Sequence, residues 1–121
     1  MKPTNVVLLQ TDPILTQTLA TSLCGLFYRV HIAASLDDLR QAAAEHQASA
    51  VIVDLESASL EDVESLKRDF PETRIVCNHR VADEEMWTLS LSAGAEDCCP
   101  SSDVHGILSA TVRETTAALA A

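Results

Sequence analysis

Aromatic residues make up only 3% of this 121-residue chain: Phe27, Tyr28, Phe70 and Trp87. Any core must therefore be aliphatic. There are only three glycines, and no glycine-rich loop follows an apolar run. A backbone cradle for a dinucleotide or a P-loop nucleotide is not expected. Basic residues are few, eight Lys and Arg against 18 Asp and Glu, giving a net charge of −10. A polyanion repels phosphate backbones, so nucleic-acid binding is not expected. No apolar run approaches the roughly 20 residues of a membrane span. The first run stops at Gln10, too short for the apolar core of a signal peptide, and the chain is read as cytoplasmic, with no membrane partner. No CxxC spacing occurs among Cys24, Cys77, Cys98 and Cys99, which read as reduced thiols. There is no GxSxG and no recognisable Ser/His/Asp order, so enzymatic activity is not expected.

What is present is an alternation of two apolar patterns. Short dense runs recur: Val6-Val7-Leu8-Leu9, Tyr28-Arg29-Val30-His31-Ile32, Ala50-Val51-Ile52-Val53, Arg74-Ile75-Val76-Cys77 and Asp97-Cys98-Cys99. They are short and dense, four of the five rich in Val and Ile, as strands buried on both faces require, and they recur roughly every 23 residues, the length of one βα unit. Between them the apolar period is helical. Leu15, Leu19 and Leu23 follow the Asp12-Pro13 start; Leu36, Leu39 and Ala43 follow Ser35; Leu60, Val63 and Leu66 precede Pro71. A fourth helix spans Asp83 to Ala93 and ends at Gly94. A fifth starts at Asp103 with Val104, Ile107, Leu108 and Thr111 on one face, and TTAALAA reads as its last turns. The fold class expected is α/β: one domain over residues 1–121, (βα)5, a doubly wound five-stranded parallel sheet with helices on both faces. Ligands of such sheets sit at the C-terminal strand ends, here Gln10-Thr11-Asp12, Asp54, Cys77-Asn78-His79-Arg80 and Cys99-Pro100-Ser101.

Asp12-Pro13 after the first strand, VIVDL around Asp54, and Gly94-Ala95-Glu96-Asp97 before the fifth resemble the receiver domains of bacterial response regulators. The resemblance spans the whole chain and implies a flavodoxin-like sheet. It also implies that Asp54 is the phosphoacceptor and that a histidine kinase is a partner. In that family two acidic residues after the first strand hold Mg²⁺; counted from Pro13 they fall on Gln10 and Thr11. The Ser/Thr and Lys that bind phosphoryl oxygens fall on His79 and Ser101, and the aromatic switch residue falls on Cys98. The chain resembles an atypical member, a pseudo-receiver in which the acceptor survives and its helpers do not. Gln10 and Thr11 carry no charge to hold Mg²⁺, so no cofactor and no metal are expected, although Asp12 with Asp54 would hold an ion if the loop slipped by one residue.

The expected function is a non-enzymatic signalling module that binds a protein partner or a second copy through helix 4, strand 5 and helix 5. Met86, Trp87 and Leu89 form the candidate contact, an apolar group on an acidic chain. Distance from Gly94 predicts Thr88, Leu91 and Ser92 or Ala95 as the buried stripe of helix 4. The first alternative is a phosphoryl-accepting switch at Asp54. The second is a metal or thiol sensor built from His79, Cys77, Cys98 and Cys99, which strand alternation disfavours because Cys98 and Cys99 point opposite ways. Cys24 is expected to pack within helix 1, and Asp54, if not an acceptor, to bond to loop amides or to pair with His79 or Arg80.

Overall fold

The computed structural model describes residues 5–112, in which the dense runs form five strands and the periodic segments five helices. Their order is β1 (Asn5–Leu9), α1 (Pro13–Cys24), β2 (Arg29–Ile32), α2 (Leu36–Glu45), β3 (Ala50–Asp54), α3 (Leu60–Asp69), β4 (Arg74–His79), α4 (Glu84–Ser92), β5 (Asp97–Pro100) and α5 (Val104–Val112). The strands form one parallel sheet in the order β2-β1-β3-β4-β5. This is the expected flavodoxin-like (βα)5 arrangement. The expectation for TTAALAA falls outside the described residues.

Each helix starts where a short polar side chain captures a free backbone N–H. Asp12 accepts from Ile14, Ser35 from Asp38 and Asp83 from Met86; Ser59 and Asp62 form a reciprocal capping box. Asp103 Oδ1 accepts from Gly106 N at 3.0 Å. Gly94, with φ +112, turns the chain from α4 towards β5 in a conformation that L residues rarely adopt.

Strand alternation divides the core into two aliphatic layers. Val7, Leu9, Val51, Val53, Ile75, Cys77 and Cys98 face one way and pack with Leu39 of α2, Leu66 of α3 and Met86 of α4. Val6, Leu8, Ile52, Val76 and Cys99 face the other way and pack with Leu15, Leu19 and Leu23 of α1 and Ile107 of α5. Burying each large aliphatic side chain contributes about 1.5–3 kcal/mol.

Helix α4 departs from the expected stripe. Ser90 is fully buried and Met86 half-buried against the core, whereas Thr88 and Ser92 are exposed and Leu91 is half-buried. Ala95 is buried but lies past the helix. The roll follows from the indole. Trp87 Nε1 donates to Asp97 Oδ1 (3.1 Å) at the start of β5, a partner it would lose if turned inward. Cys24 is exposed rather than packed. It follows Leu23, the last residue of the inward stripe, and a one-residue step rotates a side chain about 100° around a helix.

Candidate functional site

At the C-terminal ends of β1, β3, β4 and β5 a polar chain closes over the apolar sheet. Asp54 ends β3 only 2% exposed. One oxygen accepts from Thr11 Oγ1 (2.7 Å) and Thr11 N (3.3 Å), and the other from Glu56 N at 2.9 Å. A buried carboxylate is tolerable when its lone pairs are satisfied in this way. All three donors are neutral.

Beside it, Gln10 and Asn78 form a reciprocal amide pair. Gln10 Nε2 donates to Asn78 Oδ1 at 2.8 Å, and Asn78 Nδ2 donates back to Gln10 Oε1 at 3.0 Å. The second proton of Asn78 goes to Ser101 Oγ at 2.9 Å. Residues of β4 and of the ends of β1 and β5 are thus tied by neutral hydrogen bonds. Such a fully satisfied network stiffens the strand ends.

Thr11 bonds to Asp54, and Gln10 and Ser101 meet through Asn78. Asp12 does not join them: it is exposed, with Oδ1 committed to the cap of α1. His79 also stands apart. Its Nδ1 accepts from Val81 N at 3.0 Å, closing a turn. Neither His79 nor Arg80 pairs with Asp54; Arg80 Nε meets Glu56 Oε1 at 3.0 Å. The position counted as the Ser/Thr of β4 is His79, yet Asn78 enters the network. Asp54 and Asn78 are register partners and lie on one side of their strands, with Ile52 and Val76, while His79 falls on the other. The sequence placed Asn78 among the strand-end residues but gave it no role of its own, although an amide two residues past Val76 in an apolar strand was the available signal.

The three strand cysteines are free and buried. Burial pushes the Cys77 thiol well above the ordinary range and Cys99 to about 12, in the latter with help from the Asp97 and Asp103 carboxylates. Burial raises Cys98 too, partly offset by the Ser90 hydroxyl. Protonated thiols are poor ligands and nucleophiles. Among the described residues no group of three His, Cys, Asp or Glu side chains is placed to hold a metal ion. The Mg²⁺ that the fold family implies wants several carboxylate or water oxygens. Among the described residues Asp54 is the one carboxylate in this network, and the amides are occupied with each other, so this donor set does not fit that ion.

On the rim, Trp87 and Leu89 of α4 are 46% and 44% exposed, whereas Met86, grouped with them in sequence, turns towards the core. A groove of about 520 Å³ on α4 is lined by Asp83, Glu84, Glu85, Thr88 and Leu89, while Trp87 lies on the opposite flank of the helix, towards Asp97 of β5. No described helix is long and apolar enough to cross a membrane.

No protein-family model and no curated protein matches the sequence. Solved structures do match the fold. A response regulator from Burkholderia pseudomallei, its aspartate phosphorylated and with calcium and citrate bound, is 22% identical over 97% of this chain and 70% of its own, with a TM-score of 0.78. A response regulator from Thermotoga maritima is 17% identical over 93% of this chain and all of its own, also at 0.78. The receiver domain of a Mycobacterium tuberculosis response regulator is 16% identical over 93% of this chain and all of its own, at 0.74. At these identities the likeness shows the fold, that of response-regulator receivers.

Proposed function

We propose that this chain is a signalling module of receiver fold that acts by protein–protein contact and does not depend on phosphorylation of Asp54. One observation carries the reading: Asp54 is held by three neutral donors beside a closed amide pair, and among the described residues the network contains no second carboxylate and no ammonium. Phosphoryl transfer to a carboxylate brings two anions together and leaves a group of about −1.5 to −2 charge. Gln10, Thr11, Asn78 and Ser101 offer nothing to offset it, and Arg80 is engaged by Glu56. The chain is accordingly an atypical receiver, without Mg²⁺ and without catalytic chemistry of its own.

The surface that fits this role is the α4–β5–α5 side, where Trp87 stands exposed and bonds to Asp97 of β5. An exposed indole beside a carboxylate suits a partner presenting an apolar group flanked by basic residues. With Ser101 tied to Asn78 and Cys98 in place of an aromatic switch, the patch is presented permanently.

Incubation with acetyl phosphate and Mg²⁺, followed by intact-mass measurement, tests the reading. No adduct is expected, and about 10 mM Mg²⁺ should leave the melting temperature unchanged, where a ligand at 100 times its Kd would add about 2.7 kcal/mol. A phosphate adduct that disappears in Asp54→Ala would establish the phosphoryl-accepting switch instead.

A further inference from the structure

The two edges of the sheet are built differently. β5 starts with a carboxylate, Asp97, and ends in Pro100. Both are ordinary means of stopping another strand from pairing with an edge. β2, at the opposite edge, contains neither and pairs with β1 alone. Its outer side can be read from the ladder. Ala33 N donates to Leu8 O at 2.8 Å, so the backbone groups of Ala33 and, two residues back, of His31 turn towards β1. That direction alternates along a strand, which turns the N–H and C=O of Val30 and Ile32 outward. Two donors and two acceptors stand in a row there, and among the described residues no strand meets them.

The side chains around this edge differ from the rest of the chain in two ways. Leu26, Tyr28 and Ile32 are 41%, 80% and 51% exposed, large apolar groups gathered within one short segment. From Pro13 to Leu36 there is no Asp or Glu, on a chain of net charge −10, and Arg29 is the one Lys or Arg in that stretch. Arg29 is exposed and, among the described residues, forms no ion pair; its guanidinium carbon lies 5.9 Å from the centre of the Tyr28 ring. Strand alternation puts Arg29 and His31 on one side of β2 and Val30 and Ile32 on the other. His31 Nε2 lies 3.5 Å from Asp38 Oδ1, and the second oxygen of Asp38 accepts from Ala34 N, so the nearest carboxylate is already engaged. Val30 packs with the α1–α5 layer.

We propose that the outer edge of β2 accepts an extended acidic segment of a partner protein as an added strand. The outward backbone groups of Val30 and Ile32 supply the hydrogen bonds, and the two sides of the strand supply the selection. Residues of the added strand that fall on the Val30 and Ile32 side meet apolar groups. Those that fall on the Arg29 side meet an unpaired cation. The segment that fits therefore alternates apolar and acidic residues, and a basic one is repelled. A second copy fits less well: its own edge brings no carboxylate to Arg29, and it adds another chain of net charge −10. β2 and β5 are opposite edges of the sheet, so this site is separate from the Trp87 surface proposed above, and either proposal can fail without the other.

Titration of the full chain with a blocked heptapeptide of alternating valine and glutamate, followed by amide NMR, tests it. The expected result is a shift of the Val30 and Ile32 amides, with slowed hydrogen exchange at both, saturating below about 1 mM peptide. The same peptide with lysine for glutamate should bind roughly tenfold or more weakly. Ile32→Pro removes one outward N–H and leaves the bond from Ala33 to Leu8 in place, so it should weaken binding roughly tenfold. Arg29→Glu changes an exposed side chain without touching the backbone and should reverse the preference between the two peptides, with circular dichroism and melting as in wild type. No response at Val30 and Ile32 up to about 1 mM would overturn the proposal. So would equal binding of the lysine peptide, or a response centred on α4 and lost in Trp87→Ala. A wild-type dimer seen by sedimentation and dissolved by Arg29→Glu would also overturn it, by giving the edge to a second copy.

Discussion

Asp54→Asn probes the strand-end network most directly. The wild-type carboxylate, 2% exposed, accepts from Thr11 Oγ1, Thr11 N and Glu56 N. Asparagine keeps the shape but replaces one acceptor oxygen by an NH₂ donor. With its oxygen kept towards Glu56 N, the NH₂ faces Thr11. The threonine hydroxyl can rotate to accept; its backbone N–H cannot. One donor loses its acceptor and the two remaining bonds lose charge assistance. Hydrogen bonds to a charged group contribute about 1.5–3 kcal/mol and neutral ones about 0.5–1.5. The neutral amide is cheaper to bury, which returns part of the difference. The net expected loss is about 2 kcal/mol, or about 6–10 °C in Tm for a domain of this size. Thermal and urea unfolding measure it, with the urea slope unchanged. In a cycle with Thr11→Val, the double variant should lose about 1 kcal/mol less than the sum of the singles, because the hydroxyl bond is counted in both. The reasoning fails if Asp54→Asn is as stable as wild type or more so. A gain would mean that Asp54 sits among like charges whose removal brings relief, the environment of an acidic metal pocket rather than of neutral donors.

Other perturbations address the remaining elements. Of the four thiols, only Cys24 should react rapidly with a maleimide in the native protein, and a second equally fast thiol would contradict the burial of the strand cysteines. Because burial raises their folded pKa values, these thiols favour the folded state fully below the ordinary thiol range; that stability is lost as pH rises from about 9, where the unfolded chain ionises, towards about 12. A Tm that stays flat from about pH 8.5 to 11 would refute the shift. Gly94→Ala should cost about 1–3 kcal/mol, since φ is +112 and the new Cβ would lie 2.6 Å from Lys67 Cγ; an alanine variant of equal Tm would show that the turn relaxes freely. Trp87→Ala should change stability by no more than about 1 kcal/mol, against about 3–5 for a core ring, while weakening a partner bound on α4 by about 2 kcal/mol; a large stability loss with blue-shifted emission would place the indole in the core.

The sequence by itself determined what depends on near neighbours along the chain. Four to six apolar residues in a row, three of them β-branched in Ala50-Val51-Ile52-Val53, have no amphipathic helical face, so they report a strand buried on both sides. Asp12 before Pro13, Ser35, Asp83 and Asp103 can be recognised as helix starts because a cap bonds only two or three residues ahead. Asp54 at the end of such a run was legible for the same reason. The tertiary structure decided what depends on which strands become neighbours. Asn78 meets Gln10 across 68 residues and Ser101 across 23, and the strand order with its register selects Asn78 over His79. The roll of α4 was likewise set by an acceptor on another element, Asp97, which holds the Trp87 indole at the rim. That α1 and α5, which carry no Asp, Glu, Lys or Arg, form one layer is also a consequence of topology. The chain starts in the sheet interior, runs outward to β2 and returns past β1 to β3, so the first and last helices share one face while the three charged ones share the other. Short-range pattern can specify an element and its inward stripe, but the surface that two elements make together exists only once right-handed crossovers have assigned each helix to a side of the sheet.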